Sequence, residues 1–427
     1  MEAVEDVISR VQTVITDPDL FRLFENSYPN TLDTAIKWKG FAANNSEEDL
    51  CFIITGDINA MWIRDSANQL QSYQSILNSS SDDIASLYRG VINLQARYLN
   101  TSPYCNSFLA PPESGIPPDI NGADYNVQPP YDNRIVFTCN FELDSFAAFL
   151  QISHDYYNAT GDVDFFGKFQ WIPAVQSILG VARDMMLPTY APDGAALESS
   201  YTFQSQTNTA TGTLGNFGLG NPVNYTGLIR SPFRPSDDAS IFQFLIPANM
   251  MFARYLEAGA KIMAGLANAP PGLAQEMDGM AASLRDAVDR YAIVPSPDGS
   301  GGQIYAFEVD GYGGRNLMDD ANIPSLLSLP FIGYLDESDP VYQNTRAFVL
   351  SEANPWFSQG PVISAVGSPH IRPGTAWPMA SIVRILTTDD DVEIAGQLRE
   401  ILGSTDGLGL IHESVNSSDD GQWTRQW

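Results

Sequence analysis

The chain gathers acids and aromatic residues into a few short strings. TGDINAMWIRDSANQL, Thr55 to Leu70, sets Asp57, Trp62, Arg64 and Asp65 close together just ahead of a helical pattern. Core segments avoid charges and surface segments avoid tryptophan. A wall that grips a polar ring needs both, because carboxylates hold hydroxyls while an aromatic face takes the C–H side of a sugar. Further acids recur at loop–helix junctions: Asp237 and Asp238 in RPSDDA, His412 and Glu413 in LIHES, Glu308 and Asp310 in EVDGYGG, and Asp319 and Asp320 in LMDDANIPSLL. FELDS adds Glu142 and Asp144, and GSPHIRPGTAWP adds His370, Arg372 and Trp377. Two carboxyl groups suffice to hydrolyse a glycosidic bond. Taken singly, each string has a structural reading too. Asp237, Asp238, Asp319 and Asp320 suit helix caps, Glu308 and Asp310 suit a turn, and Arg64 with Asp65 suits an exposed ion pair. The set as a whole favours a carbohydrate pocket.

Other chemistries find less support. The three histidines, His154, His370 and His412, form no HExxH, there is no CxxC, and the calcium-loop pattern is absent, so neither metal nor cofactor is expected. No GxSxG elbow, P-loop or GxGxxG string occurs. A formal charge of −29 argues against nucleic acid and anionic membrane as partners, both being polyanions. No apolar run approaches the ~18 residues of a spanning helix.

The start, MEAVEDVISRV, reads as an acidic amphipathic helix and not as a signal peptide. Asn44, Asn78, Asn100, Asn158, Asn224 and Asn416 head N-x-[ST] sequons, against roughly three or four by chance under the acceptor rule. With few lysines and high acidity, they suit a secreted enzyme whose signal peptide is missing from this chain, an intracellular location being the alternative. Cys51, Cys105 and Cys139 allow one disulfide and leave one thiol.

Apolar periodicity predicts helices over Val4–Phe24, Ile63–Leu77, Asp83–Leu99, Leu143–Tyr157, Asp164–Asp184, Ala239–Ala267, Gly272–Tyr291, Asp339–Glu352, Thr375–Leu386 and Asp390–Leu402. Pro235 and Ser236 mark a helix start, with Asp237 and Asp238 in it. Long polar loops run over Thr101–Arg134, Tyr190–Pro235 and Ser296–Gly314, and loops of that length usually serve a function. This pattern predicts an all-α fold, an (α/α)6 barrel in which one domain spans residues 1–427 and loops wall a pocket.

The motifs together resemble glycoside hydrolase family 125, the metal-independent exo-α-1,6-mannosidases with an (α/α)6 barrel. TGDINAMWIRDS, FELDS, FRPSDDA with LIPANMMF, YAFEVDGYGG with LMDDANIPSLL, GSPH, and IHES with WTRQW carry the resemblance in colinear order from residue 55 onward. It implies an inverting hydrolase of α-1,6-linked mannosides. The general acid would be an Asp of RPSDDA, Asp237 in preference to the adjacent Asp238, and the general base Glu413. Asp57, Trp62, Arg64 and Asp65 would hold the terminal mannose with His370 nearby, and Asp144, Asp310 and Asn249 are further substrate-binding candidates. Acid and base should stand about 6.5–9.5 Å apart to admit a water. The family continues past TR-W with another aromatic helix, so an end at Trp427 reads as truncation. A toroidal glycosidase of other specificity, such as an α-glucosidase or trehalase, and a mannoside-binding protein without turnover are the alternatives.

Overall fold

The computed structural model describes residues 2–79, 81–299 and 301–426; Trp427 of the WTRQW string lies outside them. The chain packs as two compact units, one of residues 31–287 and 310–313, the other of residues 1–30, 288–309 and 314–427.

The first unit is built on helices Ile63–Gln71, Asp83–Thr101, Leu143–Thr160, Trp171–Met185 and Ile246–Gly265, with most of Leu273–Tyr291. Its centre is the Leu143–Thr160 helix, which is buried on nearly every face and takes Asp144, Gln151 and Asp155 inside with it. It packs along Ile246–Gly265, where Phe146 and Phe252 meet with ring centroids 6.4 Å apart. Gly259 sits at the close approach: a Cβ there would lie 3.1 Å from Leu150 Cδ2 and 3.0 Å from Met277 Cε. Buried polar groups then lock neighbouring helices. Trp171 Nε1–H donates to Ser153 Oγ at 3.0 Å, Tyr88 O–H to Leu70 O at 2.6 Å, and Gln95 Nε2 to Ile63 O at 2.9 Å. The last two hold the short Ile63–Gln71 helix in place.

The second unit holds helices Glu2–Val14, Pro18–Ser27, Pro340–Val349, Pro378–Leu386 and Asp391–Gly403. A three-stranded antiparallel sheet of Thr375–Ala376, His412–Asn416 and Asp419–Gln426 stands beside them. Ile363, Val366, Trp377, Ala380 and Val415 form its apolar core.

The fold is helix-rich rather than all-α. Ile36–Ala42 and Asn45–Ile53 pair as an antiparallel hairpin, and short ladders recur through the loops. The hairpin was readable: IKWKGFA alternates half-buried and exposed positions at period two, a strand pattern. Helix ends also moved. The predicted Val4–Phe24 helix breaks before Pro18, where Asp17 Oδ1 accepts from the N–H groups of Asp19 and Leu20 and starts a second helix. The predicted Ala239–Ala267 helix begins only at Ile246, after the extended Phe244–Leu245. Asp390 caps its helix as expected, accepting from Val392 N–H at 2.9 Å.

The central helix pair sets the stability of its unit. Phe252→Ala removes a fully buried ring and should cost about 3–5 kcal/mol, read as a shift in the urea denaturation midpoint.

Candidate active site

Three short strands of the first unit bring the acids together. Met61–Trp62 pairs with Ser107–Phe108, which pairs with Val136–Thr138. Trp62 is extended and serves as N-cap residue of the Ile63–Gln71 helix, so Arg64 and Asp65 fall in its first turn, where a carboxylate suits the helix dipole. Cys105 and Cys139 are disulfide-bonded beside this sheet. Cys51 is the thiol left over, buried, and burial pushes it up to about 12. Next to the disulfide, Asn106 is fixed in one sense: its Oδ1 accepts from Asn140 N–H at 3.2 Å and from Thr138 Oγ1 at 3.3 Å. Its Nδ2 is thereby aimed at Asp237 Oδ1, 2.5 Å away.

Asp237 does not cap a helix. Phe233–Arg234 and Asp238–Ala239 form a small ladder, and Pro235, Ser236 and Asp237 turn between its strands. Ser236 and Asp237 have φ of 74° and 59°, a left-handed conformation that no helix start uses and that costs of order 1–3 kcal/mol per residue unless the surroundings enforce it. Trp62 Nε1–H donates to Asp237 Oδ2 at 3.2 Å and reaches Oδ1 at 3.4 Å. The Asp237 N–H donates to Glu142 Oε1 at 3.2 Å. Asp238 is engaged elsewhere: its Oδ1 accepts from Thr211 Oγ1, and its Oδ2 stands 3.6 Å from Arg234 across the ladder. The two adjacent acids, of which the resemblance preferred Asp237, therefore differ. Asp237 joins Trp62 and Asn106, while Asp238 ties down the turn.

One guanidinium serves several acids. Arg64 Nε lies 3.1 Å from Asp144 Oδ2 and another Arg64 nitrogen 3.3 Å from Asp65 Oδ2. Burial alone would lower the pKa of Arg64, but Asp65, Asp144, Glu142 and Asp237 together raise it, so it stays charged. The carboxyls move the other way. Burial raises Asp237 to about 6; Asp65 adds to the rise, and Asn106, Arg64 and Trp62 oppose it. Burial likewise raises Asp144 to about 6 against the pull of Arg64. Glu142 is pushed well above the ordinary range by burial, then by Asp144 and Asp237. A carboxyl still protonated in weakly acidic solution, held by two donors and surrounded by further acids, can deliver a proton to an oxygen.

The other sequence candidates in this unit separate. Asp57 is exposed in the loop ahead of Trp62. Asp310 Oδ1 accepts from Tyr312 N–H at 2.7 Å, the turn arrangement that D-G suggested. Asn249 commits its whole amide to backbone: Oδ1 accepts from Ile229 N–H at 2.8 Å, and Nδ2 donates to Ile229 O and Leu245 O, each at 2.9 Å. Asn106 was missed, since no motif marks it. Its only signal was the cysteine beside it, whose pairing the count could not decide.

Within the second unit, Glu413 lies on the central strand of its sheet and is buried. Thr424 Oγ1–H donates to its Oε2 at 3.0 Å, and Arg425 stands 3.4 Å from Oε1. His412 is buried and stacks on Trp423, centroids 4.1 Å apart. His370 meets Trp377 edge-on at 6.5 Å. Asp319 accepts from Leu326 N–H and Leu327 N–H at 2.8 and 2.9 Å, and Asp320 accepts from Ser368 Oγ at 3.1 Å. Among the described residues no group of three His, Cys, Asp or Glu is arranged to hold a metal ion, and no helix is long and apolar enough to cross a membrane.

Comparison with known proteins turns this geometry into a class. A solved structure from Streptococcus pneumoniae, described as one of a family of metal-independent α-mannosidases in a non-productive complex with α-1,6-mannobiose, superposes with a TM-score of 0.87 at 30% identity, covering 100% of this chain and 94% of that one. The Schizosaccharomyces pombe meiotically up-regulated gene 157 protein is 44% identical over 429 residues, covering 100% of this chain and 82% of that protein. A glycosidase of 15% identity shares the fold at a TM-score of 0.51, over 96% and 94% of the two chains. The protein is a glycoside hydrolase. The profile of the metal-independent α-mannosidases, glycoside hydrolase family 125, matches residues 17–427, and the chain belongs to that family.

Because its amide is saturated by backbone, Asn249→Leu should destabilise the fold by more than about 3 kcal/mol, three buried partners being left unsatisfied. Urea denaturation measures the loss, and KM for substrate should stay unchanged where the variant folds.

Proposed function

We propose that the chain is an inverting exo-α-1,6-mannosidase that removes terminal mannose from mannan or N-glycan fragments, working as a single catalytic (α/α)6 barrel domain. The observation that carries this reading is Asp237: a carboxyl raised to about 6 by burial, held by Trp62 and Asn106, in a chain of the α-mannosidase family. Asp237 is the general acid that protonates the leaving glycosidic oxygen. Glu413, held by Thr424 and Arg425, is the general base that activates water. Trp62, Arg64 and Asp65, with Asp57 and His370, bind the terminal sugar. The α-1,6 linkage is supported by the mannobiose bound to the Streptococcus pneumoniae relative.

Proton NMR of α-1,6-mannobiose hydrolysis, with EDTA present, tests the reaction. β-Mannose is expected as the first anomer formed; α-mannose would mean retention and overturn the role of Glu413. Asp237→Asn and Glu413→Gln should each lower kcat by about 10²–10⁴-fold. The acid works protonated, so kcat/KM on α-1,6-mannobiose should fall as pH rises through about 6, and that limb should be absent on an aryl mannoside whose leaving group needs no acid.

A secreted location is supported by the Cys105–Cys139 disulfide and by exposed sequon asparagines Asn44, Asn78, Asn158 and Asn224. Protein from its native source should lose mass on treatment with peptide N-glycosidase; unchanged mass would remove the sequons from the argument.

A further inference from the structure

Glu142 occupies the N-cap position of the Leu143–Thr160 helix, yet its side chain makes no capping hydrogen bond. Another residue does that work: Ser231 Oγ accepts from Leu143 N–H at 3.0 Å while donating to Phe233 O at 2.7 Å. The carboxyl is thus released from its own helix. Its Oε1 reaches the Asp237 N–H at 3.2 Å, and its Oε2 is buried without a hydrogen-bond partner among the described residues. The residue as a whole is 2% exposed. Leaving a buried carboxyl oxygen unpartnered is unfavourable, and the helix would gain if Glu142 were an ordinary cap. What the arrangement provides is an acceptor for an amide inside a left-handed turn.

We propose that Glu142 is a positioning residue for the acid: its hydrogen bond to the Asp237 amide holds Ser236 and Asp237 in their left-handed turn and so presents the Asp237 carboxyl to Trp62 and Asn106. This rests on Asp237 being the general acid. Several attachments fix the turn: Arg234 faces Asp238 across its base, Thr211 holds Asp238, and Glu142 holds the Asp237 amide. The last acts on the backbone of the residue that carries the proton, whose carboxyl Trp62 and Asn106 hold. Asp144, Asp237, Arg64 and Asp65 are the charged groups that act on Glu142, and the buried Tyr201, whose O–H donates to Cys139 O at 2.8 Å, lies close enough to feel it. With Asp144 and Asp237 crowding it in a buried setting, Glu142 serves better neutral than charged, and a neutral carboxyl still accepts through Oε1.

Leaving-group dependence separates positioning from mere support. Glu142→Leu fills the same space without an acceptor and should lower kcat on α-1,6-mannobiose about 100-fold, with KM within threefold. On a dinitrophenyl α-mannoside, whose departure needs no proton, the loss should shrink below about fivefold. Glu142→Gln keeps an acceptor and should stay within threefold of the parent on both substrates. If Glu142→Leu does not fold, Glu142→Asp, too short to reach the amide, takes its place with the same expectation. Ser231→Ala, which removes the helix cap and the hydroxyl's bond to Phe233 O but leaves the Glu142–Asp237 bond, should lower the melting temperature and keep kcat within about tenfold. Equal losses on both substrates, or a Gln variant as impaired as Leu, would overturn the positioning role. Asp237→Asn is run in parallel: if it shows no leaving-group dependence, the acid assignment itself fails, whereas dependence there and none at Glu142 sinks only the present proposal.

Discussion

One buried guanidinium ringed by acids governs the site. Arg64 is the cation among Asp65, Asp144, Glu142 and Asp237, and burying even one carboxylate without compensation is costly. Burial is the first cause of the raised carboxyls of Glu142, Asp144 and Asp237; neighbouring acids add to the rise and Arg64 opposes it. An enzyme that needs a protonated acid in mild conditions obtains one by crowding acids where water is scarce.

Crowding is tolerable because the scaffold around it is rigid. The Leu143–Thr160 helix, buried on nearly every face, brings Asp144 in its first turn, with Glu142 just before it. The short ladder of Met61–Trp62 and Ser107–Phe108 brings Trp62 opposite Ser107, next to Asn106. The Ser107–Phe108 strand falls within the predicted Thr101–Arg134 loop, and Asp237 itself stands in a turn. Such a turn, with two residues in the left-handed region, persists only where contacts on every side enforce it.

Much of this was legible in the sequence, for identifiable reasons. Acids beside tryptophan in AMWIRDS are chemically conspicuous and marked Arg64 and Asp65, whereas the pairing of Arg64 with Asp144 of FELDS appears only in the fold. Helix interiors were also legible, because apolar spacing at 3.6 residues survives any tertiary context. Helix ends were not: nothing local distinguishes a capping Asp such as Asp390 from Asp237, which has the same residue type near a predicted start and lies in a turn instead. Left-handed Ser236 and Asp237 are set by neighbouring Arg234 and by Thr211 and Glu142 from segments far apart in the chain. The role of Asn106 depends on a sheet whose strands are only two or three residues long, too short to leave a pattern. Strands such as Ile36–Ala42 were overlooked although alternation was there to see, because helices dominate the chain.

Asn106 has a last consequence. Its carbonyl oxygen is occupied by Asn140 and Thr138, so toward Asp237 it can only donate, and an indole N–H can do nothing else. Both neighbours of the carboxyl are one-way. A proton on Asp237 finds no acceptor on their side and must point away from them. When it leaves, the same two donors are already in place to receive the negative charge, with no reorientation required. The two donors disfavour pointing the hydrogen inward and ease the charge left behind, while burial, the larger influence, keeps Asp237 raised to about 6.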